Sequence, residues 1–181
     1  MSKYLKISVI TVTKNSEKFL EENIESLSKQ TYKNFEHIII DGKSTDKTID
    51  IIKKNSSKIS KWISEPDNGL YAAMNKGIKL SEGDVIGILN SDDIYYQKAL
   101  EIVNNYFSKY DNLDFIFGSV HKYKLMHGYY PKKIYWTFGF YTTHSVGFFI
   151  KKSSQIKVGF YDTQYKFSAD YDLFYRMIVK N

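Results

Sequence analysis

The sequence predicts an α/β fold, a mainly parallel sheet flanked by helices in one domain. Two observations carry that expectation. Short apolar, β-branched runs alternate along the chain with segments whose apolar residues recur at helical spacing, the pattern of βαβ units. Polar residues then follow the ends of three of those runs, and a parallel sheet binds its ligands at the carboxyl ends of its strands. A length of 181 residues suits one such domain and allows a core that needs no covalent staples.

The elements follow in order. Residues 7–12 (ISVITV) read as a buried strand. Asn15 or Ser16 can cap the next helix, in which Phe19, Leu20, Ile24 and Leu27 fall at helical spacing between glutamates and lysines. Residues 36–40 (EHIII) form the second strand. Asp41-Gly42 turns the chain, Ser44 or Thr45 caps, and 46–54 makes a helix with Ile49 and Ile52 inward. Trp62 and Ile63 suggest a short strand. Leu70 to Leu80 is a helix bearing Leu70, Met74 and Ile78, with Gly83 as its stop signal. Residues 85–89 (VIGIL) are a further buried strand that runs into Asn90-Ser91-Asp92-Asp93. A helix at 97–108, a strand at 114–118 and a helix at 170–178 complete the pattern.

Composition excludes several classes. The aromatic fraction of 17% rules out intrinsic disorder. Without cysteine there is no thiolate zinc site and no cysteine nucleophile. No apolar run approaches the ~20 residues of a membrane helix. The opening MSKYLKISVITV lacks a signal-peptide cleavage pattern, so a cytoplasmic location is expected. The net charge of +6 is concentrated in residues 115–169, which carry eight lysines and a single acid, Asp162. Arg176 is the only arginine. Bidentate reading of guanine favours arginine, so no nucleic-acid partner is expected. A basic, aromatic RNA binder built on residues 119–141 is the reading that a salt titration would separate.

Thr13, Asn15, Asp41, Asp92 and Asp93 each follow a strand end. One such residue alone reads as a turn or cap; the group together reads as a site. Adjacent carboxylates such as Asp92-Asp93 repel unless a cation is present. Mg²⁺ or Mn²⁺ accepts one or two carboxylates together with substrate phosphate oxygens. A phosphate-bearing ligand is therefore expected. The first strand leads into VITVTKN rather than G-x-G-x-x-G, and no G-x-x-x-x-G-K-[ST] occurs. Dinucleotide-binding oxidoreductases and P-loop NTPases are excluded on those grounds.

The blocks VITVTKN, DGKSTDKT, EPDNGLYAAMNKG and ILNSDD, followed by GFYD at 159–162 and SADYDLFYRM at 168–177, resemble in order and spacing the family 2 glycosyltransferases. The resemblance covers nearly the whole chain and is similar to bacterial enzymes that build exopolysaccharide, capsule or O-antigen. It implies the GT-A fold, with a donor-binding subregion at 1–118 and an acceptor-side subregion at 119–181. It implies an inverting transfer from a nucleotide-diphosphate sugar, UDP-linked, to a glycan or lipid-linked acceptor, with Mn²⁺ or Mg²⁺ as cofactor. Carried over residue by residue, it places Thr11, Thr13 and Asn15 around the base and ribose, and Asp41 at the uracil edge. Asp67, Asn75 and Lys76 would face the nucleotide, Asp92 the ribose or a metal-bound water, and Asp93 the metal. Asp170 matches the aspartate of the family's Glu-Asp pair, the catalytic base. Here the pair reads Ala169-Asp170, so the glutamate is missing and Asp172 is the second candidate. A two-residue offset on a helix points these carboxylates about 200° apart, so one of them faces the site. His144 stands where the family has a histidine near the acceptor or diphosphate, whereas His37, inside a strand, reads as structural. The lysines and aromatics of 115–169 suit peripheral contact with an anionic membrane at its inner face. The chain ends inside a predicted helix, at RMIVKN, where family members usually run on. That ending keeps an inert nucleotide-sugar or glycan binder as the alternative.

Overall fold

The computed structural model describes residues 4–122, 125–126 and 145–179. Strands β1 (Ile7–Thr13), β2 (Phe35–Asp41), β3 (Lys61–Ser64), β4 (Val85–Ile88), β5 (Phe115–Phe117) and β8 (Phe148–Lys151) form one sheet in the order β3-β2-β1-β4-β8-β5. β6 (Val120–His121) and β7 (Leu125–Met126) pair separately. Helices α1 (Leu20–Ser28), α2 (Thr48–Lys54), α3 (Leu70–Leu80), α4 (Ala99–Lys109), α5 (Lys152–Val158) and α6 (Ala169–Val179) complete the fold. β3, β2, β1 and β4 are mutually parallel; β8 runs antiparallel between β4 and β5. The expected mainly parallel sheet is thus present, and residues on both sides of position 118 contribute to it.

Helices cover both faces. Ile10, Val12, Ile38 and Ile40 pack against Met74 and Ile78 of α3 and Leu173 and Phe174 of α6. On the other face Val9 and Val85 meet Leu27, Leu100 and Phe107, while Ile39 meets Leu20, Ile24 and Ile52. Strands buried on both faces read as continuous apolar runs, which is why ISVITV, EHIII and VIGIL stand out. Two glycines permit close packing. A Cβ at Gly77 would lie 2.3 Å from Ile10 Cγ2, so its absence lets α3 lie against β1. A Cβ at Gly87 would lie 2.4 Å from the ring of Phe149, its register partner on β8.

Four local expectations differ from the structure. α2 starts at Thr48 with Lys47, rather than Ser44 or Thr45, at its N-cap. α1 starts at Leu20, because Asn15 adopts a left-handed φ of 52° and the Ser16 carbonyl accepts the amides of Phe19 and Leu20. α3 ends before Ser81, whose hydroxyl donates to the Ile78 carbonyl; Gly83 instead gives room for Ser8 and the Lys6 carbonyl. Leu70 opens α3 as an exposed residue, and its buried face is Ala73, Met74, Gly77 and Ile78.

Candidate active site

The carboxyl ends of β1, β2, β3 and β4 lie along one edge, and four loops leave from it. Side-chain hydrogen bonds knit these loops together. Asn15 Oδ1 accepts the Thr45 amide at 2.8 Å, and its own amide donates to Ser44 Oγ at 2.8 Å. The Ser16 and Ser91 hydroxyls meet at 2.8 Å and join the first loop to the Asp92-Asp93 loop. Asp41 is wholly buried; its carboxylate accepts from the Ser44 amide, the Ser44 hydroxyl and Ser64 Oγ. It therefore ties the ends of β2 and β3. Asp67 accepts the Gly69 amide at 3.0 Å, and its carboxylate lies against Gly42. Gly69 itself has φ +106°, a conformation suited to glycine.

The aspartate pair is held from below. Asn23 of α1 is fully buried and donates through Nδ2 to the carbonyls of Asn90 and Asp93, both at 2.8 Å. Asn90 Nδ2 donates to Asp93 Oδ2 at 3.1 Å. Asp92 is exposed and Asp93 half-buried. The Thr13 hydroxyl and Asn90 Oδ1 are buried without a hydrogen-bond partner among the described residues. Buried polar atoms are nearly always paired; His37 Nδ1 shares this state inside β2, whereas Thr13 and Asn90 lie at the ends of β1 and β4.

Asp170 arrives from the far end of the chain. The preceding Ser168 has a left-handed φ of 68°, uncommon outside glycine. Asp170 Oδ1 accepts the Tyr71 hydroxyl at 3.2 Å and the Tyr171 amide at 3.0 Å. Since Tyr71 lies in the first turn of α3, just beyond the β3 loop, this contact places Asp170 beside the same edge. Asp172 instead pairs with Arg176 at 2.9 Å, and Arg176 also donates to the carbonyls of Val158 and Phe160. Of the two carboxylates, Asp170 is thus the one turned to the edge.

The structure places Thr13, Asn15, Asp67, Asp92 and Asp93 along this edge and Asp170 against Tyr71; besides Asp41, which ties β2 to β3, it sets three predicted residues to other tasks. Thr11 is wholly buried, with its hydroxyl 3.3 Å from Asn23 Oδ1 and 3.0 Å from His37 Nε2. Asn75 clamps the Tyr161 backbone, donating to its carbonyl at 2.8 Å and accepting its amide at 3.0 Å. Lys76 pairs with Glu65 at 2.7 Å and donates to the Pro66 carbonyl, so it braces the β3 loop. His37 is structural, as expected; burial pushes its imidazole down to about 3, leaving it neutral. His144 lies outside the described residues. Two residues escaped sequence reasoning. Asn23 was detectable as a polar residue on the apolar face of α1; Tyr71 carries no local signal.

Parallel strands with helices on both faces and an acidic strand-end site define the GT-A fold. The sequence model of Glycosyl transferase family 2 matches residues 8–169, and the chain belongs to that family. It is 29% identical over 186 residues to an uncharacterized glycosyltransferase of Rickettsia typhi, covering 95% of this chain and 58% of that protein. It is 31% identical over 117 residues to a PGL/p-HBAD biosynthesis glycosyltransferase of Mycobacterium tuberculosis, covering 62% of this chain and 46% of that protein. The chain thus spans about half the length of these relatives, 58% of the first and 46% of the second. Among solved structures, S. aureus TarS 1-349 in complex with UDP superposes with a TM-score of 0.73 at 22% identity, over 93% of this chain and 53% of that one. A mannosyltransferase from Pyrobaculum calidifontis, in complex with GDP-Man and Mn²⁺, gives 0.70 at 17%, over 88% and 48%. At these identities the superpositions establish the shared fold.

Proposed function

We propose that this chain is an inverting glycosyltransferase that moves a sugar from a UDP-linked donor to a glycan or lipid-linked acceptor in bacterial polysaccharide biosynthesis. The observation that carries the reading is the hydrogen bond from Tyr71, in the first turn of α3, to Asp170 on α6, which brings a carboxylate from the far end of the chain to the helix that follows the β3 loop. Thr13, Asn15, Asp67 and Asp92 would bind the donor, with Asp41 holding the loops that surround it. The UDP-bound and GDP-Man-bound relatives support a nucleotide-sugar ligand.

The donor set fits a hard divalent ion. The described residues contain no group of three or more candidate ligands, yet Asp93 and Asp92 offer the one or two carboxylates that Mg²⁺ or Mn²⁺ takes alongside substrate phosphates. When bound, such an ion neutralises the charge that develops on the departing diphosphate.

The protein's own residues then account for the displacement. Asp170 Oδ1 is held by Tyr71 and Tyr171, and Oδ2 has no partner among the described residues. Oδ2 takes the proton of an acceptor hydroxyl as that oxygen bonds to the anomeric carbon. The carbon–oxygen bond to the diphosphate breaks on the opposite face, and the nucleoside diphosphate leaves with the electron pair. No covalent enzyme intermediate is needed, which suits a site with one available base.

Residues 119–181 would form the acceptor side, with contact to anionic lipid at the inner membrane face. Of the eight lysines in 115–169, Lys124, Lys132 and Lys133 lie outside the described residues. No helix among the described residues is long and apolar enough to cross a membrane.

The test is transfer and UDP release over a panel of UDP-sugars with Mn²⁺. Asp170→Asn is expected to bind UDP within about twofold of wild type and to lose about 10²-fold or more in turnover. UDP binding with no turnover on any donor would favour the inert binder. Full turnover in Asp170→Asn would remove Asp170 as the base.

A further inference from the structure

We infer that Tyr71 is a positioning residue for Asp170, the third link of a chain that runs from α3 through Tyr161 to the catalytic carboxylate. This inference rests on the assignment of Asp170 as the base.

The chain begins with Asn75. Its amide bonds both the carbonyl and the amide of Tyr161 and locks residues 159–161 onto α3. Asn75 and Tyr71 are four residues apart on α3 and share a face. The Tyr161 ring, buried to 4% exposure, stacks on the Tyr71 ring at 5.5 Å between centroids with planes 27° apart. Tyr71 therefore has little rotational freedom, and its hydroxyl is presented to Asp170 Oδ1 at 3.2 Å. The Tyr171 amide engages the same oxygen at 3.0 Å.

With two donors on Oδ1, the carboxylate cannot swing without losing both, so Oδ2 is held in place as well. Free rotation of a two-bond side chain would scatter that oxygen over several rotamers, and effective proton transfer needs it within hydrogen-bond reach of the acceptor hydroxyl. Burial, and then the negative charge of Asp170, hold the Tyr71 hydroxyl above its ordinary value. The phenol thus remains a donor throughout the neutral range. Tyr161, the other titratable group packed on Tyr71, is likewise raised by its burial.

Two measurements on the full chain test the inference. The first follows Tyr71 by NMR of its labelled ring carbon as pH rises. In Asp170→Asn the Tyr71 midpoint is expected to fall while remaining above that of an exposed tyrosine, because burial persists. A midpoint that Asp170→Asn does not move overturns the contact. The second measures UDP-sugar turnover with Mn²⁺. Tyr71→Phe keeps the ring stack but removes the hydroxyl. It is expected to lower kcat about tenfold with the donor KM within twofold, and Tyr71→Leu to match or exceed that loss. A kcat for Tyr71→Phe within twofold of wild type, or a change confined to KM, overturns the positioning role. Should Asp170→Asn keep wild-type turnover while the Tyr71 midpoint still falls, the assignment of the base fails and the contact stands.

Discussion

Replacing Asn23 by alanine tests whether the Asp92-Asp93 loop is held from beneath. Asn23 lies wholly buried in α1, and its Nδ2 donates to the Asn90 and Asp93 carbonyls at 2.8 Å each. A net intramolecular hydrogen bond contributes about 1 kcal/mol, and a buried group left without a partner costs about 1–3 kcal/mol. The Asn90 carbonyl keeps the Asp93 amide at 3.0 Å, so its loss is partial. On the other side of the amide, Thr11 Oγ1 loses Asn23 Oδ1 but still meets His37. Three hydrogen bonds lost, two of them with partners that keep another contact, give an expected destabilisation of about 2–3 kcal/mol. In urea this corresponds to a midpoint about 1 M lower at unchanged slope. The same loop carries Asp93, so Mn²⁺-dependent UDP affinity should also fall by about tenfold or more under conditions where the variant is folded. A loss of stability below about 0.5 kcal/mol with unchanged UDP affinity would refute the claim that Asn23 holds this loop.

Further outcomes follow from neighbouring features. Asp93→Asn is expected to leave the fold intact and to remove the Mn²⁺-dependent gain in UDP affinity, about tenfold or more; calorimetry with and without Mn²⁺ checks it, and an undiminished gain would reassign the metal ligand. Gly77→Ala should destabilise by about 1–2 kcal/mol despite the roughly 1 kcal/mol that alanine adds to helix propensity, because the new methyl meets buried Ile10; a rise in denaturation midpoint would show that α3 can move off β1. Glu36 supplies a pH dependence. Burial works to raise its carboxyl, but hydrogen bonds from Ser8 and the Glu82 amide, with Lys6 and Lys61 nearby, outweigh it and hold the group below its ordinary 4.5. A depressed folded-state value stabilises above the unfolded value, and that contribution is lost as pH falls below 4.5 toward the folded one. Glu36→Gln should therefore lose stability at neutral pH and show a shallower decline on acidification; parallel curves for the two proteins would rule this out.

Much of this organisation was legible because its causes are local. The parallel strands announce themselves through continuous apolar runs, and strand-end aspartates are fixed by their place after those runs. What the sequence concealed depends on distant pairing. VGFFI is visibly apolar, but nothing local says that Phe148–Lys151 enters the sheet antiparallel between β4 and β5; the fit of Phe149 over Gly87 decides it. Tyr71 and Asp170 are 99 residues apart, and only the packing of α6 beside α3 unites them. Thr11 shows the opposite failure. The family resemblance placed it at the base and ribose, but alternation along the strand and burial behind α1 gave its hydroxyl to Asn23 and His37. Asn75 lies in a motif that resembles a nucleotide-binding helix, and its amide is spent on Tyr161.

The two ends of the sheet handle acidic groups in opposite ways, and the contrast bears on chemistry. At the amino ends of the strands, Glu36 is buried beside Lys6 and Lys61, and both lysines also pair with Glu82. The lysine bonds push the Glu82 carboxyl down to about 2. Charge there is cancelled as it is placed. At the carboxyl ends, Asp41 is held by Ser44 and Ser64, Asp67 by the Gly69 amide and Asp170 by Tyr71 and Tyr171. Among the described residues, no lysine or arginine pairs with Asp41, Asp67, Asp92 or Asp170. Neutral donors fix the direction of a carboxylate without pairing it with a cation, so these acids have no cationic partner among the described residues. Such an edge repels a diphosphate taken alone. It accepts one together with a divalent cation, because the ion draws on both the protein carboxylates and the phosphate oxygens. We therefore propose that donor binding at this edge depends on a divalent ion. Asp172 is the less suited base of the pair, because it would give up its pairing with Arg176 on taking the acceptor's proton.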